Sequence, residues 1–251
     1  MNHDPAKRPS SCDCQAILAD EVPWITVAQM RAVDRLMIET IGITLEQMME
    51  NAGRAVASVA SALLGGADGR RIVVMAGPGG NGGGGLVAAR HLALAGAEIA
   101  VMLAAQPEKL APTTQRQYGI LQAIGVTAQV GPAETDDPDL VVDALLGYSQ
   151  AGPPRGDAAA LIEEMRGKRT ISLDTPSGLE LSTGQLHDPH VVAEATVTLA
   201  LPKEGLRTLA AGAAVGRLFL ADISVPAVVY ERLGIDYRSP FGSSAVVELD
   251  H

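Results

Sequence analysis

The chain is poor in cysteine. It has two, Cys12 and Cys14, one residue apart in a polar N-terminal stretch. Such a pair is no disulfide framework, and this scarcity points to a reducing compartment. It also falls short of the four ligands that a structural zinc site requires. Aromatics make up only 3% of the 251 residues, so a core has to be built from Ala, Val, Leu and Ile. No apolar run reaches the 18 residues of a membrane-spanning helix, and no signal-peptide core stands at the N-terminus. The expected compartment is the cytoplasm, and a membrane is not an expected partner. Basic residues are outnumbered, with 19 Lys and Arg against 29 Asp and Glu. The resulting formal charge of −10 argues against a nucleic-acid surface. Any phosphate ligand must then be held by a local positive potential against the global field.

Glycine is plentiful, and it is concentrated. Residues 77–85 read Gly-Pro-Gly-Gly-Asn-Gly-Gly-Gly-Gly. An apolar run, 71–76, precedes them and has the length of a buried strand. A helical segment, expected over 85–95, follows. A strand, a glycine-rich turn and a helix let backbone N–H groups approach an anion closely.

With 47% hydrophobic residues the chain can form one large α/β domain. Residues 1–22 read as a flexible tail, 23–237 as the domain, and 238–251 as a last strand or a second tail. Thr26-Val27-Ala28-Gln29 and Thr44-Leu45-Glu46-Gln47 both have the form of a capping box. The first opens a helix running to about Ile41, near Gly42. The second opens a helix with an apolar stripe of Met48, Met49, Ala52, Val56, Val59 and Leu63, read as core packing. Beyond residue 70, strands are expected at 71–76, 98–103, 126–130, 139–143, 170–174, 195–201 and 216–223. Helices are expected at 85–95, 112–124 and 156–166. This alternation implies βαβ units and a mostly parallel sheet.

Ligands of open α/β sheets bind beyond the carboxyl ends of the strands. Three segments occupy that place: the glycine loop, Asp143-Ala144-Leu145-Leu146-Gly147, and Asp174-Thr175-Pro176-Ser177-Gly178. A P-loop is excluded because Leu86 and Val87, not Lys and Ser or Thr, follow the last glycine. A dehydrogenase fingerprint lacks its acid, since the second strand ends Met102-Leu103-Ala104-Ala105-Gln106. Gly147-Tyr148-Ser149-Gln150-Ala151 approximates a hydrolase elbow, with Asp174 and His187 or His190 in chain order. Gly152-Pro153-Pro154 follows it, where that motif demands a helix.

Taken together, five segments resemble the NAD(P)H-hydrate epimerase family. They are Met49-Glu50-Asn51-Ala52-Gly53-Arg54-Ala55-Val56, the glycine run with Leu86 to Leu92, the two aspartate segments (the second with Leu179 and Thr183-Gly184), and Thr198-Leu199-Ala200-Leu201-Pro202-Lys203 with Gly205. The resemblance spans about 24–228. It implies a Rossmann-like three-layer α/β/α sandwich, usually a homodimer, that interconverts the R and S hydrates of NADH and NADPH. A separate dehydratase is then the metabolic partner. It implies substrate binding by Gly80, Asn81, Gly82, Gly83, Gly84, Gly147, Tyr148, Ser149, Gln150, Arg155 and Asp174. It also implies a potassium ion at Asn81, Asp143 and Ser177. Asp174 is the expected general acid and base, its plainer reading being a turn residue. Lys203 is a lesser candidate, read more readily as a surface lysine. The family's glycine pattern runs Gly-x-Gly-Asn-Asn-Gly-Gly-Asp-Gly, so Gly80 and Gly84 replace an Asn and an Asp. That departure keeps open a second reading, a binding or regulatory member without turnover. A third is an isomerase of another phosphorylated small molecule.

Overall fold

The computed structural model describes residues 14–133 and 137–250. Both capping boxes form. Thr26 and Gln29 cap α1 (Val27–Leu36), and Thr44 and Gln47 cap α2 (Leu45–Leu64). In each box the threonine hydroxyl takes the N3 amide while the glutamine reaches back to the threonine amide. The expected extension of α1 to Ile41 is a π-helical turn, Met37–Ile41, stopped by Gly42 at φ 84°.

The sheet then builds by alternation: β2 (Arg71–Ala76), α3 (Gly80–Leu94), β3 (Glu98–Leu103), α4 (Pro112–Ala123), β4 (Ala128–Val130), β5 (Leu140–Ala144), α5 (Gly156–Glu164) and β6 (Thr170–Leu173). A short hairpin, β7 (Leu179–Glu180) and β8 (Gln185–Leu186), precedes β9 (Ala195–Leu199), α6 (Leu209–Val215), β10 (Arg217–Ala221), α7 (Ala227–Arg232) and β11 (Val246–Asp250). The nine-stranded order is β1-β11-β10-β9-β6-β5-β2-β3-β4, where β1 is Ala16–Leu18. From β4 to β10 every pairing is parallel, and β11 joins β10 antiparallel.

Alternate residues of β2 enter different cores. Ile72, Val74 and Ala76 pack with α2 and α3, whereas Val73 and Met75 pack with Leu161 and Ile162 of α5. On β10, Phe219 and Ala221 join the first core while Leu218 and Leu220 meet Ala211 and Val215 of α6. The sheet is therefore covered on both faces, as central parallel strands require. This is the expected three-layer α/β/α sandwich.

Two expectations need correction. Residues 16–22 are not a tail: β1 pairs parallel with β11, and Val22 is buried. Pairing with a strand more than 200 positions away leaves no local trace. Cys14 is partly buried against the main core. Cys12 lies outside the described residues. The glycine run is not a loop before a helix at 85, because the helix starts at Gly80, capped by Gly79.

Close packing explains a helix opening on six residues with five glycines. A Cβ at Gly82 would stand 1.8 Å from the Gly77 carbonyl oxygen, and one at Gly85 2.4 Å from the Ala144 Cβ. On the neighbouring α2, a Cβ at Gly53 would come within 2.5 Å of Val87. Glycine here buys backbone contact with the sheet and with α2, and tertiary packing overrides its poor helix propensity. Glu50 ties the same two helices together by accepting from Arg90 and meeting His91 at 2.7 Å.

Candidate active site

A cavity of about 470 Å³ opens at the carboxyl ends of β2, β5, β6 and β9. Met30, Met48, Met49 and Ala52 from α1 and α2 form one wall, and Leu173, Leu199 and Ile223 another. Polar groups come from Gly79-Gly80-Asn81 at the start of α3, the turn 145–150 after β5, Asp174 and Lys203. The methionines read as core are indeed buried, but they also line this cavity. Gly79 offers no side-chain cap, so the first amides of α3 remain available to an anion.

Asp174 follows β6 with φ at 69°, and Thr175 N–H donates to Leu173 O at 2.9 Å. That is a tight three-residue turn in a conformation that an aspartate rarely adopts. The side chain is 97% enclosed, yet both oxygens are engaged. Oδ1 accepts from Lys203 Nζ at 2.6 Å, and Oδ2 accepts from the Tyr148 amide at 2.8 Å. Lys203 is no surface lysine. It has no exposure, and Nζ also donates to Thr198 Oγ1 and Leu199 O. An apolar strand followed by Pro202 leads the chain under the cavity, and Ile25 fixes the backbone there by bonding Pro202 O and Glu204 N–H. A buried ammonium persists because all three of its protons are placed.

Asp143, the last-but-one residue of β5, has no exposure. Its oxygens accept from Ser177 Oγ (2.6 Å), Ser172 Oγ (2.8 Å), Ser177 N (2.8 Å) and Leu145 N (3.2 Å). Burial pushes its carboxyl up, against the pull of those four bonds. The Ser177 hydroxyl also accepts from the Leu146 amide, and Asn81 Nδ2 donates to Leu146 O at 3.1 Å. The residues matched to a potassium site thus converge on one strand-end turn. Among the described residues no group of three or more His, Cys, Asp or Glu is gathered. The donors at this turn are a carboxylate, a hydroxyl and an amide oxygen, all hard ligands. A buried carboxylate served only by neutral donors suits a cation close by.

The turn after β5 is pinned from the far side. Gln150 Oε1 accepts from Gly178 N–H, and Glu180 Oε2 accepts from Gly152 N–H. The Gly152 amide, then His187 and Ser182, lower the Glu180 carboxyl to about 2. His187 therefore serves Glu180, and His190 meets the His187 carbonyl. The hydrolase triad does not assemble, and the chain beyond Ser149 runs irregularly until Gly156.

Of the residues named from sequence, Gly80, Asn81, Gly84, Gly147, Tyr148, Ser149, Gln150 and Asp174 line the cavity. Gly82 and Gly83 do not; they are buried against Gly77 and Met49. Arg155 is exposed at the N-terminus of α5, away from the lining. Sequence reading missed Asp34, which lines the cavity from α1. Its signal was a carboxylate beside the buried stripe of Met30, Val33 and Met37.

Residues 45–205 match the family described as YjeF-related protein N-terminus. An NAD(P)H-hydrate epimerase of Dehalogenimonas lykanthroporepellens is 43% identical over 231 residues, covering 90% of this chain and 92% of that protein. The chain belongs to the NAD(P)H-hydrate epimerase family. A second relative, an NAD(P)H-hydrate epimerase of Rhodopirellula baltica, is 32% identical over 82% of this chain. A bifunctional NAD(P)H-hydrate repair enzyme Nnr of Hyperthermus butylicus is 41% identical over 75% of the chain, which spans only 36% of that longer protein. The crystal structure of yeast ynu0, YNL200c, superposes with a TM-score of 0.75 over 91% of the chain at 23% identity and so attests the fold.

Proposed function

We propose that the chain epimerises the R and S hydrates of NADH and NADPH, with Asp174 as its general acid and base. The observation that carries this reading is the Asp174–Lys203 pair, enclosed at the cavity wall and fixed from three sides. In the substrate, the hydrated ring carbon bears a hydroxyl and is bonded to the ring nitrogen. The nitrogen lone pair expels the hydroxyl as the hydroxyl is protonated, leaving an iminium. Water then adds to that carbon from the opposite face and loses a proton. Both proton transfers suit a carboxyl group within reach of the ring carbon. The apolar walls exclude bulk water, which strengthens the Asp174–Lys203 pairing. Gly80, Asn81, Gly84, Gly147, Tyr148, Ser149 and Gln150 would contact the nucleotide, its pyrophosphate near the start of α3.

A potassium ion fits Asn81, Asp143 and Ser177, where its charge would offset that of the buried carboxylate and a nearby pyrophosphate. A homodimer through the N-terminal helices, a cytoplasmic location and a separate dehydratase complete the proposal. No helix among the described residues is long and apolar enough to cross a membrane. The relatives' names favour turnover over the binding-only reading.

The test mixes the protein with the R hydrate and a dehydratase specific for the S form. Consumption of R well above its spontaneous rate is expected. A rate equal to the spontaneous one contradicts the proposal.

A further inference from the structure

Inversion at a ring carbon involves two faces, and one carboxyl reaches only one of them unless the ring turns over. The cavity holds a second carboxyl. Asp34, on α1, lines the same cavity as Asp174 and the turn that carries Tyr148. The Tyr148 hydroxyl donates to Asp34 Oδ2 at 2.5 Å while its amide donates to Asp174 Oδ2. One residue therefore fixes both carboxyls. Lys203 Nζ bonds Asp174 and lies 5.9 Å from the Tyr148 ring centroid. The two acids thus have unequal partners, an ammonium for Asp174 and a phenol for Asp34.

We propose that Asp34 is a second catalytic acid and base, working on the ring face opposite Asp174, with Tyr148 as its positioning residue. This rests on the epimerase reading above. In one direction Asp34 gives its proton to the leaving hydroxyl. The C–O bond breaks with its electron pair going to oxygen, and the nitrogen lone pair makes the C=N bond. Asp174 takes a proton from the water that adds to the other face, and the C=N pair returns to nitrogen. Turnover in the reverse direction exchanges the two roles, so no oxidant or second substrate is consumed.

The surroundings of Asp34 agree. Burial pushes its carboxyl up, more than the Tyr148 bond and Lys203 lower it, and the Asp174 charge raises it further. Burial and the Asp34 charge hold the Tyr148 hydroxyl well above its ordinary range, so it stays a donor. Arg31 on the same helix acts on Tyr148, and Tyr230 of α7 senses the Asp34 charge. Dividing acid from base between two carboxyls calls for unlike surroundings, and here one carboxyl meets an ammonium and the other a phenol.

The experiment uses each pure epimer in ¹⁸O-water, scoring isotope uptake separately from inversion, with spontaneous rates subtracted. The wild type should take up label as it inverts. Asp34→Asn should lose on the order of 100-fold in inversion but still exchange label, with retention, into the epimer whose hydroxyl faces Asp174. Tyr148→Phe should show a smaller loss in the same pattern. Inversion by Asp34→Asn at the wild-type rate overturns the proposal. So does equal loss of exchange and inversion for both epimers in a variant that unfolds at the wild-type temperature. A wild type that neither exchanges nor inverts contradicts the epimerase reading itself, and the proposal with it.

Discussion

Two neighbouring strands end in two buried aspartates, and the cavity treats them differently. Asp143, at the end of β5, is surrounded by two hydroxyls and two backbone amides and meets no cationic side chain among the described residues. Asp174, after β6, is bonded to an ammonium and one amide, and it lines the cavity. Asp143 holds a turn together through neutral donors alone. Asp174 has its charge matched internally and keeps access to a ligand. The same residue type, one strand apart, thus has only neutral partners in one case and an ammonium partner at the cavity in the other, the contrast on which the proposed division between cation site and chemistry rests.

The sharpest way to break this contrast is to remove the matching charge. Lys203→Met leaves Asp174 enclosed without a cation, which costs about 3–5 kcal/mol. Urea unfolding should show that loss, and an unchanged midpoint would mean the pair is not the internal match described here. Next in size is Asp143→Asn, which puts an amide among groups that all donate. It should cost about 1–3 kcal/mol and abolish any difference in melting temperature between potassium and choline chloride. A potassium effect surviving in that variant would remove Asp143 from the cation site.

Smaller effects concern the turns that deliver the two carboxylates. Glu180, which pins the turn bearing the Tyr148 amide, is lowered to about 2 from an ordinary 4.5. A depressed carboxylate stabilises the fold above its unfolded value, and that contribution fades as pH falls from 4.5 through 2. Melting of Glu180→Gln should therefore vary less with pH across this window than melting of the wild type. The least change is expected at Gly80, where a Cβ would meet only Met49 Cε, at 3.7 Å. Gly80→Asn should shift stability by under about 0.5 kcal/mol, whereas Gly82→Ala, driven into the Gly77 carbonyl, should not fold.

That last pair shows what sequence could and could not convey. The glycine run marked the site as a turn whose backbone could approach an anion, but for part of it the reason is different. At Gly82 and Gly85 the missing side chain makes room for the sheet and not for a ligand. The capping boxes were legible because their bonds lie within four residues. So were the central strands, whose runs are apolar throughout because both faces are covered. β1 was not legible, since its partner, β11, lies at the other end of the chain. Asp143 and Asp174 could be placed at strand ends by the order of the sheet. Lys203 was underestimated and Asp34 missed because a polar side chain reveals its enclosure only once the opposing elements are packed.

The contrast between the two aspartates rests most directly on one rate. Epimerisation of the R hydrate by Asp174→Asn should be followed in saturating potassium, at a temperature where circular dichroism shows the variant folded. A loss on the order of 100-fold or more is predicted, with substrate still bound. Turnover at the wild-type rate would contradict the assignment of the chemistry to Asp174.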